Sequence, residues 1–471
     1  MATLEQKTVR AISWNLVERF GVQGIGFVFG VLLARLLTPA DFGLISMIYV
    51  FFAVAEVFVN SGFNAAYVQK KEVTAHDSDT VFYFNLFVSL ALYLVLWISA
   101  PAIAGFYEQP VLIELTRVAA LVIIINAFNL IQMAQVIRDV DFKRKTKVTL
   151  VATILSGVAG ITAAYTGFGV WSLVIQQMAN RILTTSGFWV TSKYRPGLKF
   201  STEAFKSLFS YGSWMLASGL IQTIFNNIYI LVIGKFFPAA QLGFYEKAKR
   251  LRSIASEEVS SAVGAVAFPV LSKLQDDKPS VKRAVRKFLT HSLVVVAPLM
   301  VILIVVAEPF VILILTEKWA PMIPYVKLLS VAGILYPIHS VNVQVLRAQG
   351  KSNLDFRIEV IKNSLRVVNI AVMYRFGVVY IIIGEITVSI LSLIINTYYT
   401  QRLLSYGIIE QLNDIRLIVF SAAISGLAGY ITLYYIENMY IKLFLGSFLT
   451  ATIYIVLQYI LIKICSFKSL N

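Results

Sequence analysis

Apolar runs of roughly 20 residues recur along most of this chain, the length an α-helix needs to cross a ~30 Å hydrocarbon layer. Two of them read VFYFNLFVSLALYLVLWISAPAIA (81–104) and LVVVAPLMVILIVVAEPFVILIL (293–315). Strands of a membrane barrel would instead alternate apolar and polar residues over about ten positions. A soluble core is excluded by proportion: 58% of the residues are hydrophobic and 14% charged, against about 45–50% and about 25% in soluble domains. The sequence therefore predicts an all-α integral membrane protein with about fourteen transmembrane spans. Their approximate limits are 14–36, 42–63, 81–104, 112–136, 148–166, 169–191, 209–234, 244–271, 289–315, 323–346, 358–375, 378–400, 416–435 and 442–463.

The net charge of +16 follows from topology, not from a nucleic-acid partner. With the N-terminus inside, the cations gather in segments on one side: Lys143, Arg144, Lys145 and Lys147; Lys193, Arg195, Lys199 and Lys206; Lys278, Lys282, Arg283, Arg286 and Lys287. Segments on the other side hold mainly single cations such as Arg35, Lys235 and Lys318. That asymmetry orients the chain in an inner membrane with both termini cytoplasmic, and it suits a surface of anionic lipid. One cysteine, Cys465, excludes a disulfide framework or a cysteine metal site, and the scattered His76, His291 and His339 lack ligand spacing. No metal or cofactor is expected. The polar start MATLEQKTVRAIS leads into a full-length span and shows no cleavable signal peptide.

One turn is written twice. RLLTPADFGL (35–44) returns as KFFPAAQLGF (235–244), and SWNL (13–16) returns as SWML (213–216) at the same offset. QVIR (135–138) pairs with QVLR (344–347), and FGVW (168–171) with FGVV (376–379). Ordered matches at a near-constant offset predict two six-helix lobes, 1–206 and 207–405, followed by two additional helices in 406–471. An even number of spans per lobe makes the repeats parallel, related by an axis along the membrane normal, with a substrate site between them: a transporter plan. The short loops leave no soluble catalytic domain, so the chain reads as a non-enzyme.

Ionisable side chains inside spans cost about 2.5–3.5 kcal/mol each at mid-bilayer on insertion scales, so each needs a cavity, a partner or a function. Glu18 and Arg19 lie in the first span and Glu56 in the second; Glu385 lies in a later one. The eighth is the outlier: Glu246, Lys247, Lys249, Arg250 and Arg252 open it, followed by Glu257, Glu258 and a run of small residues. Two readings fit this cluster. One is an interfacial helix start whose cations reach back to the surface. The other, which the topology favours, is a cationic cavity for a pyrophosphate or an acidic sugar, since Arg offers bidentate donors to phosphate. Arg117, Arg181, Lys327 and Arg366 read as snorkelling cations near span ends.

These residues also carry a resemblance. AKRLRSIASEEVSSAVGAVAFPVLSKL (248–274) is similar to the eighth helix of the MOP superfamily of multidrug, oligosaccharidyl-lipid and polysaccharide exporters. LTEKWAPMIPYVKLLS (315–330) and LLARLLTPADFGL (32–44) resemble segments of its polysaccharide branch, that of O-antigen and colanic-acid-type lipid-linked oligosaccharide flippases. The resemblance spans almost the whole chain. It implies fourteen helices in two bundles set in a V. Arg250 matches the arginine of the A-x-R-L motif, which faces the cavity and handles lipid pyrophosphate in the related peptidoglycan-precursor flippases. Arg19 is similar to a cavity arginine there, in a departing sequence context. The drug exporters of the superfamily carry an acidic site in the first helix, for which Glu18 is the candidate here.

The function expected is transfer of an undecaprenyl-pyrophosphate-linked oligosaccharide from the inner to the outer leaflet, for surface polysaccharide biosynthesis. Arg250, Arg252, Lys249 and Arg19 are expected to bind the pyrophosphate. Asn226, Asn227, Tyr229 and Gln222 fit either sugar contacts or ordinary helix packing. Glu18, Glu56, Glu257, Glu258 and Glu385 are candidate cavity acids for coupling to a proton or sodium gradient. The expected partners are the lipid-linked oligosaccharide, membrane lipids and the polysaccharide polymerase machinery. Two rivals are an ion-coupled small-molecule or drug exporter of the same fold, which calls for an apolar cavity with one or two acids, and a membrane-embedded polysaccharide polymerase or ligase, which calls for a long outside loop.

Overall fold

The structure is a computed structural model, and it describes residues 4–60, 74–139, 141–192, 194–197, 201–202, 216 and 218–468. The expected boundary at 206/207 lies outside the described residues, as does the SWML copy apart from Leu216. All regular structure among the described residues is helical. Among the described residues, ten helices are long and apolar enough to cross a bilayer. Two pairs bent by 43°, Leu112–Ala127 with Leu130–Arg138 and Ser218–Asn226 with Ile228–Phe236, raise that number to twelve. The difference from the expected count is two helices of similar length, Trp171–Thr191 and Ser352–Met373. Each has the 21 or 22 residues that span ~30 Å at about 1.5 Å per residue. Their polar side chains, Asn180 and Arg181 in one and Glu359, Lys362 and Arg366 in the other, remove them on composition.

Three boundaries depart from the sequence reading. The first helix starts at Leu4, ahead of the expected span 14–36, whose apolar part is Val17–Leu36, so Glu18 and Arg19 sit about four turns inside the helix and at the start of the span. The span expected over 289–315 breaks after Val305 into a short α-helix, Ala307–Phe310, and a π-helical turn, Val311–Leu315. The cations of 278–287 are not in a loop but on the first turns of the helix Lys278–Val305. There Asp277 caps the N-terminus by accepting from Ser280 N at 3.2 Å, while Lys282 and Arg286 reach Glu410 and Asp414.

The chain divides into two compact units, 1–243 and Phe244–Asn471. In the first, the helix Phe142–Tyr165 packs on Trp171–Thr191 and on Leu4–Leu36, and Ala75–Tyr107 packs on the bent helix after it. Thr74 and Asp77 start Ala75–Tyr107 with a reciprocal capping box, which satisfies two otherwise orphaned N–H groups. Val81, Phe82, Ile131 and Ala134 form a small core there, covered by Phe128 and Trp189.

The repeated turn folds alike in both copies. A helix ends at Leu36 and the next begins at Pro39; two hundred residues later one ends at Phe236 and the next begins at Ala239. The first copy is fixed by Thr38 and Asp41, each accepting from the other's backbone N–H, with Pro39 at the position where a missing N–H costs nothing. The two copies meet at their glycines. A Cβ on Gly43 would overlap the carbonyl oxygen of Ala239, and one on Gly243 that of Pro39, so only glycine permits this backbone approach. Beside it Lys235 pairs with Glu108 at 2.8 Å. The Lys235 ammonium holds the Glu108 carboxyl below its usual value. A depressed carboxylate contributes above its unfolded value and loses that contribution as the pH falls through its folded one, so this exposed tie persists at neutral pH and loosens only on acidification.

In the second unit, Val281, Val285, Leu289, Leu293, Ala297, Val301 and Val305 recur every four residues down one helix. This i, i+4 stripe meets Ile338, Val341 and Val345 of the helix Ile323–Ala348 and Ile415, Ile418 and Ala422 of Ile408–Tyr434. Within this apolar contact Asn342 and Gln411 exchange two amide hydrogen bonds of 3.0 Å. Both are buried. Asn342→Leu is expected to cost about 1–3 kcal/mol, because it strands the Gln411 amide. Adding Gln411→Leu should recover part of that loss, read as the melting temperature in detergent.

Candidate functional site

The helix Ala239–Lys273 carries the densest charge in the second unit. Tyr245, Lys249, Arg252 and Ser256 follow the i, i+4, i+7 spacing of one helical face. Arg252 is the hub. Its Nη1 lies 2.6 Å from Glu385 Oε1 and its Nη2 2.9 Å from Glu257 Oε1. The Tyr245 hydroxyl donates to Glu385 Oε2 at 3.2 Å, Ser253 Oγ donates to Glu257 Oε2, and Ser256 Oγ donates to the Gly333 carbonyl at 2.7 Å. The Arg252 side chain is 13% exposed and that of Glu385 17%, so its planar fork is spent on two protein carboxylates.

The other cations differ. Lys249 pairs with Glu246 at 3.6 Å, and Lys247 lies 5.8 Å over the Trp319 ring. Arg250 is exposed and Glu258 half-buried. Of the four residues expected to grip pyrophosphate, Arg250 and Lys249 thus share a helix with Arg252, but Arg252 is held by carboxylates. Arg19 belongs to the first unit. The cluster as a whole is balanced, since Lys247, Lys249, Arg250 and Arg252 match Glu246, Glu257, Glu258 and Glu385 in number. The cluster is thus not a uniform cationic wall, and Arg250 is its exposed arginine.

A second polar site lies inside the first unit: a cavity of about 370 Å³ lined by Glu18, Glu56, Asn126, Asn129, Asn180, Arg181, Thr149, Thr153 and Thr184, with Val22, Leu130, Met133 and Phe188. Its floor is Glu18, nearly buried. Glu18 Oε2 is ion-paired to Lys145 at 3.0 Å, and its Oε1 is 3.4 Å from Thr149 Oγ1. Nearer solvent, Glu56 pairs with Arg181 at 3.2 Å, both side chains more than a third exposed. Asn180 donates to Ser156 at 3.2 Å. One wall is the break in the bent helix. The Phe128 carbonyl freed there accepts from Trp189 Nε1 at 2.8 Å, and that of Ile125 from Thr185. Interrupted helix within a membrane is tolerated where it is buried in protein or lines such a cavity.

Replacing Lys145 with Met is expected to cost about 3–5 kcal/mol by leaving Glu18 buried without its cation. The double change with Glu18→Gln should recover most of it in a thermal unfolding cycle.

The cavity corrects one expectation and adds to another. Arg181 does not snorkel; it faces Glu56 across the cavity mouth. Arg117 stacks 4.1 Å over the Trp97 ring. Glu18 and Glu56 come together with a set of amides and hydroxyls that the sequence reading passed over. Their signal was present in Trp171–Thr191, where Gln177, Asn180, Arg181 and Thr184 recur at i, i+3, i+4 and i+7 on an otherwise apolar run. Of the residues that fit sugar contacts, Asn227 closes the bend of its own helix by donating to Thr223 O at 2.8 Å, and Tyr229 is buried in packing. Gln222 and Asn226 are exposed. Among the described residues, no three His, Cys, Asp or Glu side chains group as metal ligands.

Residues 32–324 match the family described as "Polysaccharide biosynthesis protein". The teichuronic acid biosynthesis protein TuaB of Bacillus subtilis is 26% identical over 358 residues, covering 76% of this chain and 74% of the relative. The succinoglycan biosynthesis transport protein ExoT of Rhizobium meliloti is 27% identical over 356 residues, covering 75% and 72%. Among solved structures, the lipid II flippase MurJ in an inward closed conformation superposes with a TM-score of 0.80 at 15% identity, covering 96% of this chain and 99% of that one. The chain shares the fold of that structure and is a multi-pass membrane protein.

Proposed function

Because this chain belongs to the polysaccharide biosynthesis protein family, we propose that it carries a lipid-linked oligosaccharide across the bacterial inner membrane, from the inner to the outer leaflet. The observation that carries this reading is the pairing of that membership with a flippase fold over 96% of the chain. The named relatives of teichuronic acid and succinoglycan biosynthesis support it. The physical need is plain. Each unpaired hydroxyl taken into hydrocarbon costs several kcal/mol, so a glycan crosses only through a polar path while its lipid tail stays in the bilayer.

In this reading the exposed Arg250 meets the pyrophosphate, with Lys249 beside it, and Arg252 holds its helix in place through Glu257 and Glu385. Arg19 adds a second cation from the first unit. The lobes 1–206 and 207–405 rock to alternate access, driven by a proton or sodium gradient acting on Glu18, Glu56, Glu257, Glu258 or Glu385. The chain performs no covalent step, both termini are cytoplasmic, and the product is handed to the polymerase machinery.

Inactivating the gene in its own cell tests the reading. Undecaprenyl-linked repeat units should accumulate facing the cytoplasm while surface polysaccharide falls. Normal surface polysaccharide with no lipid-linked intermediate would overturn it.

A further inference from the structure

The cavity of the first unit has a chemistry of its own. Its carboxylates already have cations: Glu18 has Lys145 at 3.0 Å and Glu56 has Arg181 at 3.2 Å. Neither a free cation nor a phosphate finds an uncompensated charge there. What the lining offers in excess is neutral and two-faced. Asn126, Asn129 and Asn180 each carry donors and an acceptor, and Thr149, Thr153 and Thr184 carry hydroxyls. Asn129 is 7% exposed, and its Oδ1 has no hydrogen-bond partner. Val22, Leu130 and Met133 supply an apolar patch beside these groups. Its size falls at the lower end of small-molecule sites, about 300–1,000 Å³.

We propose that this cavity is a sugar subsite that binds uncharged glycosyl units. Vicinal hydroxyls pair with the amides of Asn126, Asn129 and Asn180 and with Glu56, and the C–H face of the ring lies on Leu130 and Met133. The inference rests on the flippase reading for its biological ligand and adds that the glycan is read away from Arg250, in the first unit. An apolar drug fits this lining poorly, since it would strand the amides.

The test uses the full chain in lipid vesicles, with Thr153→Cys placed in a Cys465→Ser background as the single thiol. Its rate of labelling by a small hydrophilic thiosulfonate is measured against a panel of neutral gluco-, galacto- and manno-disaccharides, against inorganic pyrophosphate and against sodium. A site with a Kd of about 1 mM slows labelling about tenfold at about 10 mM saccharide. Asn129→Ala should abolish that protection, while pyrophosphate and sodium leave the rate unchanged. Equilibrium dialysis of a radiolabelled disaccharide against the purified parent and Asn129→Ala gives the same comparison without a cysteine. No protection and no binding by any saccharide, or equal protection by sodium or pyrophosphate, would overturn the proposal. Leaflet transfer of lipid-linked oligosaccharide is followed in the same vesicles. Transfer without saccharide binding removes the subsite and leaves the flippase reading; saccharide binding without transfer does the reverse.

Discussion

Replacing Arg252 with methionine is expected to destabilise the second unit by about 3–5 kcal/mol, the cost of breaking a buried charge pair from one side. The guanidinium bridges Glu385 at 2.6 Å and Glu257 at 2.9 Å, so its removal leaves two carboxylates facing each other with no cation between them. Arg250→Ala should be nearly silent in the same unfolding experiment, because Arg250 is exposed. Arg252→Lys should fall in between, since an ammonium is a point charge and cannot reproduce the fork. Changing Glu385 to Gln in the Arg252→Met background should recover part of the loss, because Glu257, at 32% exposed, retains water. A fully stable Arg252→Met protein that has lost lipid transfer would return this arginine to the substrate.

The second large effect belongs to the two turn glycines. Gly43→Ala and Gly243→Ala each put a methyl group into the other copy's backbone, and a backbone cannot rotate away as a side chain can. Each change is expected to cost at least the about 1–3 kcal/mol of ordinary overpacking. The two sites share one contact, so the double variant should lose clearly less than the sum. Gly24 provides the control: a Cβ there meets nothing within 4 Å, and Gly24→Ala should be neutral or gain up to about 1 kcal/mol of helix propensity. Additive losses at positions 43 and 243 would mean that the two copies act separately.

Hydropathy made most helices legible because lipid imposes length and apolarity directly on a run of residues. Trp171–Thr191 and Ser352–Met373 were placed as spans 169–191 and 358–375 in spite of polar residues that lower their average apolarity. The repeated turn was legible for the same local reason: RLLTPADFGL and KFFPAAQLGF carry their own stop and start signals. The contact between their glycines was not, since nothing local records which backbone lies opposite. Charge partners were the least legible part. Glu385 is 133 residues from Arg252 and Arg181 is 125 from Glu56, and a single sequence gives no sign that these pairs meet. That is why the cluster on Ala239–Lys273 read as cationic and proves to be balanced. It is also why the acids Glu18 and Glu56 were found while the amides around them were not: a charge in an apolar run stands out, and an asparagine in a helix does not.

The most direct measurement is leaflet transfer of an undecaprenyl-pyrophosphate-linked oligosaccharide in proteoliposomes, with the parent beside Arg250→Ala. Transfer by the parent, lost in a folded Arg250→Ala protein, is the predicted result. Absence of transfer with every lipid-linked substrate, together with efflux of soluble organic cations, would contradict it.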